Sequence, residues 1–191
     1  MLEYVIEGHD GSAKTPIAGG IKNNLTALGY QCKVYSPFHI ANSLIDEDDI
    51  YVYWKTGREK TAVELLQKVI HSIRTQNFHL DVLIFDRHWL TVLGEIDDHE
   101  NLRNLWADFP PTFFIEAPIH KTLDCKRFSY ETLWTSSNEQ VEYYYHRLLN
   151  LAQKYKQYII DQFIVETRIQ PLDPIINSIT QRIQYDLKNI H

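Results

Sequence analysis

Cysteine is nearly absent from this 191-residue chain, which contains only Cys32 and Cys125. Neither residue lies in a Cys-x-x-Cys pair or near spaced histidines, so the spacing argues against a structural zinc site. Two thiols in a chain of this length are also too few for a disulfide framework, and they are typical of a reducing compartment. We therefore expect a cytoplasmic protein that is held together by its hydrophobic core.

Long hydrophobic runs and excess positive charge are also missing. No segment approaches the roughly 18 apolar residues that a membrane span requires, and Met1 to Tyr4 lacks the basic segment of a signal peptide. The net charge is −6, whereas non-specific binding of nucleic acid requires a basic face. We therefore expect neither a membrane nor a nucleic-acid partner. A hydrophobic fraction of 44% supports the core of one domain over residues 1–191.

Short apolar runs alternate with segments of helical periodicity along the whole chain. The runs predict five buried strands, at Leu2–Glu7, Cys32–Tyr35, Val82–Phe85, Phe113–Ala117 and Phe163–Glu166. The helical spacing predicts helices from Pro16 to Gly29, over Thr61–Ile73, around Leu102–Trp106, over Ser136–Tyr158 and after Pro174. This alternation favours an α/β fold of three layers, in which helices cover both faces of a five-stranded parallel sheet.

One loop carries the clearest motif, Gly8-His9-Asp10-Gly11-Ser12-Ala13-Lys14-Thr15. It follows a strand, opens a helix and nearly fits the phosphate-binding pattern G-x-x-x-x-G-K-[ST]. Backbone N–H groups at a helix N-terminus bind phosphate oxygens. The pattern predicts that Lys14 contacts the β- and γ-phosphates of ATP and that the Thr15 hydroxyl binds Mg²⁺.

Two residues of this segment depart from the pattern. Ala13 stands where the pattern has a second glycine, and it costs about 1 kcal/mol or more if the backbone there has a positive φ. Pro16 lacks the N–H that the residue after Thr15 normally offers to a phosphate, although proline also suits the first turn of a helix. The loop is thus interpreted either as a working nucleotide site or as a degenerate one.

Together with the strand before it, this loop resembles the signature of the thymidylate kinase family of P-loop nucleoside and nucleoside-monophosphate kinases. The resemblance includes Asp10, whose carboxylate would lie near the transferred phosphate; its alternative role is to accept N–H bonds within the loop. Asp86 and Arg87 resemble the Asp-Arg motif of the family. They are expected to coordinate Mg²⁺ and to bind the acceptor phosphate, and a surface ion pair is the alternative.

Weaker elements of the resemblance lie further along the chain. Trp54 and Arg58 match an aromatic residue that stacks on the base and an arginine that contacts it; a core tryptophan and a solvated arginine are the alternative. A polar stretch over residues 126–140 resembles a mobile lid, in which Lys126 or Arg127 would supply positive charge. In the aromatic helix that follows, Tyr144 or Tyr145 would approach the substrate, or pack in the core.

One family element is missing after the second strand. The family has an arginine beside a proline there, and this chain keeps Pro37 without the arginine; Ser36 or His39 could substitute for it. The resemblance implies transfer of the γ-phosphoryl group of ATP to a nucleoside monophosphate, with dTMP or a related pyrimidine nucleotide expected and Mg²⁺ as cofactor. A nucleoside acceptor and a catalytically impaired binding protein are the alternatives. The resemblance also suggests a homodimer.

Overall fold

The computed structural model describes residues 1–45, 50–96, 105–128, 137–166 and 170–189. Its strands form one parallel sheet in the order β2-β3-β1-β4-β5. The strands are β1 (Leu2–Gly8), β2 (Cys32–Tyr35), β3 (Val82–Asp86), β4 (Thr112–Glu116) and β5 (Ile159–Ile164). Because all pairings are parallel, the carboxyl ends of the strands share one edge of the sheet. The central strand β1 brings the phosphate-loop motif to that edge.

Helices fill the connections between the strands. They are α1 (Lys14–Ala27), α2 (Pro37–Ser43), α3 (Ile50–Lys55), α4 (Glu59–Gln76), α5 (Trp89–Glu95), α6 (Ile119–Phe128), α7 (Asn138–Lys154) and α8 (Asp173–Lys188). A short 3₁₀ turn, Lys156–Tyr158, leads from α7 into β5. Among the described helices, none combines the length and the apolar character needed to cross a membrane.

Alternation of side chains along the buried strands divides the core into two clusters. On β1, Tyr4 and Ile6 pack with α1 and α8, whereas Val5 between them packs with α2 to α5 and α7. Successive residues of a strand point to opposite faces of the sheet, so both faces of β1 must be covered. The three-layer α/β fold predicted from the sequence is therefore confirmed.

Several boundaries differ from those that the sequence predicts. The fifth strand begins four residues earlier than expected, at Ile159, because the helical pattern that was extended to Tyr158 ends at Lys154. Helices α2, α3, α5 and α6 were not predicted. Of the short helix expected around Leu102–Trp106, residue 102 lies outside the described residues, and Trp106 is buried without helical structure.

Two adjacent glycines of α1 are expected to respond in opposite ways to alanine. A Cβ at Gly19 meets nothing within 4 Å, whereas a Cβ at Gly20 lies 2.5 Å from Cδ1 of Ile176 on α8. Gly19→Ala should raise the free energy of unfolding by about 1 kcal/mol through helix propensity. The free energy of unfolding of Gly20→Ala should be about 1 to 3 kcal/mol lower than that of Gly19→Ala, because the added methyl overpacks the contact with Ile176. Urea unfolding of both variants measures the difference, and equal stabilities would contradict the α1–α8 packing.

Candidate phosphate-binding and acceptor site

The loop between β1 and α1 is built on backbone that only a few residue types adopt readily. Gly8 has φ 147°, and a Cβ there would lie 1.8 Å from the carbonyl oxygen of Ile115 on β4. Gly11 has φ 79°, and Ala13 is left-handed with φ 61° and ψ 30°. These positive φ values bend the chain back, so that α1 begins at Lys14 with its first N–H groups directed toward the loop. The loop thus has the strand–turn–helix context that phosphate binding requires.

The side chain of Lys14 is held inside this loop. Its ammonium group donates a hydrogen bond of 2.6 Å to the carbonyl oxygen of His9, which also accepts from the N–H of Ser12 at 3.3 Å. Lys14 is buried, and burial, followed by the charge of Arg87, lowers its pKa to about 8. The ammonium group is therefore protonated at neutral pH and poorly solvated, which favours a bound anion.

Thr15 and Asp86 connect the loop to the end of β3. The Thr15 hydroxyl donates a hydrogen bond of 2.5 Å to Oδ2 of Asp86. A hydroxyl and a carboxylate at this separation are the hard oxygen ligands that suit Mg²⁺, which completes its coordination with water and phosphate oxygens. Within the part of the chain that the structure describes, no group of three or more His, Cys, Asp or Glu residues could hold a metal by itself. The donor set thus fits a Mg²⁺ ion that arrives with a nucleotide.

Arg87 and Asp10 form an ion pair across the same edge of the sheet. Arg87 has φ 71°, a left-handed conformation that costs a non-glycine residue about 1 to 2 kcal/mol. The guanidinium group lowers the pKa of the Asp10 carboxyl to about 2. Strained backbone of this kind is concentrated at functional sites, and here it aims the arginine at the phosphate loop.

A buried carboxylate fixes the segment that follows Arg87. Glu7 is fully buried on β1, and its Oε1 accepts hydrogen bonds from the N–H groups of His88 at 2.6 Å and Thr91 at 3.0 Å. Its Oε2 accepts a third bond, of 2.8 Å, from the Thr91 hydroxyl. Glu7 thereby binds the first turn of α5. Because His88 directly follows Arg87, these bonds also fix the position of the Arg87 backbone.

His9 attaches the loop to α7. Its ring stacks on Tyr145 at a centroid distance of 4.0 Å, and its Nε2 lies 3.1 Å from the Tyr145 carbonyl oxygen. Burial lowers the pKa of His9 to about 4, so the ring is neutral at pH 7 and its Nε2–H donates to that carbonyl. Tyr145 therefore supports the loop, and its neighbour Tyr144 is the tyrosine that faces the ion pair.

Ala13 and Pro16 have different consequences for the loop. Since the φ of Ala13 is positive, the alanine keeps the glycine-type conformation at an energetic cost and leaves the path of the chain unchanged. Pro16 lies in the first turn of α1, and the first helical bond runs from the N–H of Ile17 to the carbonyl of Ala13 at 3.0 Å. Pro16 thus costs the helix no internal bond but removes one N–H from the loop.

Replacing Ala13 with glycine should stabilise the protein. Glycine removes about 1 to 2 kcal/mol of left-handed strain from the folded state. Its greater conformational entropy also stabilises the unfolded state by about 0.4 to 1 kcal/mol. The free energy of unfolding should therefore rise by about 0.5 to 1 kcal/mol. Ala18→Gly in the interior of α1 is the matched control and should lose about 1 kcal/mol or more. Urea unfolding measures both, and a loss of stability in Ala13→Gly would rule out the left-handed backbone.

The other predicted substrate residues lie at the start of α2, in α3 and just before α4. Trp54 is 5% exposed and packs against Phe38 and Tyr51, which favours the core alternative over stacking on a base. Arg58 is exposed, with its guanidinium carbon 4.0 Å from the Tyr53 ring centroid. Pro37 is buried at the first turn of α2.

Tyr144 lies near the Arg87–Asp10 pair, beside a residue that the sequence analysis missed. Gly94 lets the ring lie against α5, because a Cβ there would be 3.0 Å from Cε2 of Tyr144. The next residue, Glu95, lies near Tyr144, which together with Lys55, Arg87 and Asp10 contributes to its electrostatic environment. Burial raises the pKa of Glu95 to about 7 and that of Tyr144 well above its usual value. No motif in the sequence identified this carboxylate; its only signal is that it ends the apolar segment Trp89–Gly94.

The expected lid over residues 126–140 is described only at its two ends. Residues 126–128, including the backbone of Arg127, are the last residues of α6, whereas residues 129–136 and the Arg127 side chain lie outside the described part. At the other end α7 begins at Asn138, with a capping box in which Ser137 and Gln140 bond each other. The last residues of the proposed lid are therefore helical.

Comparisons with known proteins support the fold and no more. No family model and no curated protein matches the chain. Solved structures do match: a deoxyadenosine kinase from M. mycoides with bound dATP is 15% identical, with a TM-score of 0.63 over 96% of this chain and 100% of that one. A shikimate kinase from Bacteroides thetaiotaomicron is 14% identical, with a TM-score of 0.58 over 98% of each chain. The chain thus has the fold of these P-loop kinases, while the resemblance to thymidylate kinases stays a prediction.

Proposed function

We propose that this protein is a phosphotransferase that moves the γ-phosphoryl group of ATP to a nucleoside or a nucleoside monophosphate. One observation carries the proposal: the buried Lys14, the Thr15–Asp86 pair and the Arg87–Asp10 pair meet at the carboxyl edge of β1 and β3. Ligands of open parallel sheets bind at this edge. The deoxyadenosine and shikimate kinases of the same fold transfer to small acceptors, as their names state.

The charges of the site residues suggest a role for each of them in the proposed reaction. Lys14 and the N–H groups at the start of α1 hold the donor phosphates, while Arg87 lies toward the acceptor. Thr15 and Asp86 would hold Mg²⁺, which neutralises charge on the β- and γ-phosphates. In the reaction an acceptor oxygen bonds to the γ-phosphorus, the bond from that phosphorus to the bridging oxygen breaks, and ADP leaves with the electron pair. The protein contributes mainly positioning and charge stabilisation.

Pro16 supports a second candidate, which is nucleotide binding without transfer. Its missing N–H removes one donor that a bound triphosphate would otherwise receive. A single hydrogen bond to a charged group contributes about 1.5 to 3 kcal/mol. This loss weakens binding, but it leaves the groups that act on the γ-phosphate in place.

A panel of acceptors tests the two candidates. ADP formation from MgATP is measured with the four deoxynucleosides and their 5′-monophosphates, dTMP included, and products are identified by mass spectrometry. Turnover that depends on one of these acceptors supports the kinase. Tight binding of MgATP by folded protein, without turnover of any acceptor, would replace the kinase with the binding protein.

A further inference from the structure

The proposed reaction leaves one buried cation of α7 without a role. Arg147 is only 9% exposed, and an arginine stays charged at any physiological pH. Taking such a charge out of water is costly unless the protein supplies hydrogen-bond partners. The partners of Arg147 therefore indicate which part of the fold its charge stabilises.

The carboxyl end of α5 provides these partners. Nη2 of Arg147 donates to the carbonyl oxygen of Ile96, the residue that caps α5, and to that of Leu93 at 3.4 Å. The last carbonyls of a helix have no partner within the helix, and both residues are buried, which leaves water little access. A cation also suits the negative end of the helix dipole. Nη1 donates a further bond, of 3.0 Å, to the Tyr143 hydroxyl.

At its amino end, α5 is held by the opposite charge. The buried carboxylate of Glu7 accepts hydrogen bonds from the N–H groups of His88 and Thr91. The helix itself contains only the seven residues Trp89–Glu95, and a helix of that length is not stable without contacts to its surroundings. A carboxylate at one end and a guanidinium group at the other thus fix a two-turn helix between β1 and α7.

The contact of α5 with α7 is tight beside Arg147. A Cβ at Gly94 would lie 3.0 Å from Cε2 of Tyr144 and 3.1 Å from Cδ2 of Leu148. This packing prevents α5 from moving toward α7, and the hydrogen bonds of Arg147 oppose movement away from it. The carboxyl end of α5 is therefore located by α7.

We propose that Arg147 is a positioning residue, which holds α5 from its carboxyl end so that Arg87, two residues before the helix, meets the acceptor in a fixed orientation. This inference rests on the proposed function, in which Arg87 lies toward the acceptor. The backbone of Arg87 is strained, with φ 71°, and such a conformation persists only where the surrounding structure imposes it. Lys14 and Thr15 belong to α1, so donor binding should not depend on Arg147.

The first test measures acceptor kinetics and MgATP binding in Arg147→Met and Arg147→Lys, with Arg182→Met, which removes a half-exposed arginine of α8, as the control. Arg147→Met should lower kcat/KM for the best acceptor about 10- to 100-fold, chiefly through KM. Its Kd for MgATP, from titration calorimetry, should equal that of the wild type. Arg147→Lys keeps a donor for the α5 carbonyls and should lose less. Arg182→Met should change neither quantity.

A double variant separates positioning from a general loss of structure. If Arg147 acts through Arg87, Arg147→Met should raise the acceptor KM no further in the background Arg87→Ala. A further rise of the same size in that background would overturn the inference. So would a lower kcat with an unchanged acceptor KM, which is the result of a smaller folded fraction. If thermal unfolding shows that Arg147→Met does not fold, Arg147→Lys takes its place in the same comparison.

Hydrogen exchange distinguishes failure of this inference from failure of the kinase. If the wild type turns over no acceptor, the kinase is lost, and amide exchange is compared between Arg147→Lys and Arg182→Met. Faster exchange over residues 88–96 in Arg147→Lys, with residues 14–27 unchanged, would support the attachment of α5 by Arg147. Equal exchange over residues 88–96 in the two variants would overturn it.

Discussion

Lys14→Ala is expected to lower kcat about a thousandfold without unfolding the protein, on the scale seen when one charge-stabilising group is removed from an active site. In the proposed reaction its ammonium group offsets charge that develops on the γ-phosphate. The measurement is the steady-state rate of ADP formation with the best acceptor. A variant that keeps more than about a tenth of wild-type kcat would remove Lys14 from the mechanism.

Stability distinguishes this loss from simple unfolding. Burial lowers the pKa of Lys14 to about 8, which means that the buried ammonium group opposes folding at neutral pH. Lys14→Ala should therefore unfold at the same urea concentration as the wild type or at a higher one. Lys14→Met keeps most of the stem and should show the same loss of kcat. Lys22→Ala, an exposed lysine on the same helix, should change neither property.

Gly8→Ala is expected to lower the free energy of unfolding by at least about 3 kcal/mol, through overpacking and backbone strain together. The added methyl would lie 1.8 Å from the carbonyl oxygen and 2.7 Å from the carbonyl carbon of Ile115. Both atoms belong to the backbone of β4, which hydrogen bonds to β1 and β5 hold in place. The sheet would have to open for the methyl to fit, and a loss of this size is a large share of the stability of a typical domain.

Gly29→Ala is the matched control for Gly8→Ala. Gly29 also has a positive φ, 90°, but a Cβ there meets nothing within 4 Å. Its loss should be limited to backbone strain, about 1 kcal/mol. Urea unfolding of the two variants separates strain from collision. Similar losses in both would show that Gly8 does not approach β4 closely.

The fold could be predicted because its buried strands are recognisable as short runs of apolar residues. The run Val82–Phe85 in β3 is apolar throughout, and β1 is apolar from Tyr4 to Ile6, since both faces of a central parallel strand are covered by helices. The edge strand β5 is paired only with β4 and is partly exposed, so its first residues were read as the end of the preceding helix. Helix α2 was missed although Pro37 lies in its first turn, a position that proline favours.

The loop between β1 and α1 could be predicted better than the residues that later helices bring to it. Residues 8–15 are contiguous in sequence, so their spacing alone indicated a phosphate loop. Gly94 of α5 and Tyr144 of α7 lie against each other in the fold, and no spacing in the sequence relates them before the fold is known. Trp54 illustrates the same limit, because a tryptophan that stacks on a base and one that fills a core have the same sequence signal.

Phosphorus NMR of a mixture of MgATP, acceptor and wild-type protein tests the central claim most directly. The kinase assignment predicts that the γ-phosphate resonance of ATP is replaced by an acceptor-phosphate resonance in equal amount, together with ADP, and that the exchange is absent with Lys14→Ala. An unchanged ATP spectrum, or conversion of ATP to ADP and inorganic phosphate whether or not acceptor is present, would contradict phosphoryl transfer by this site.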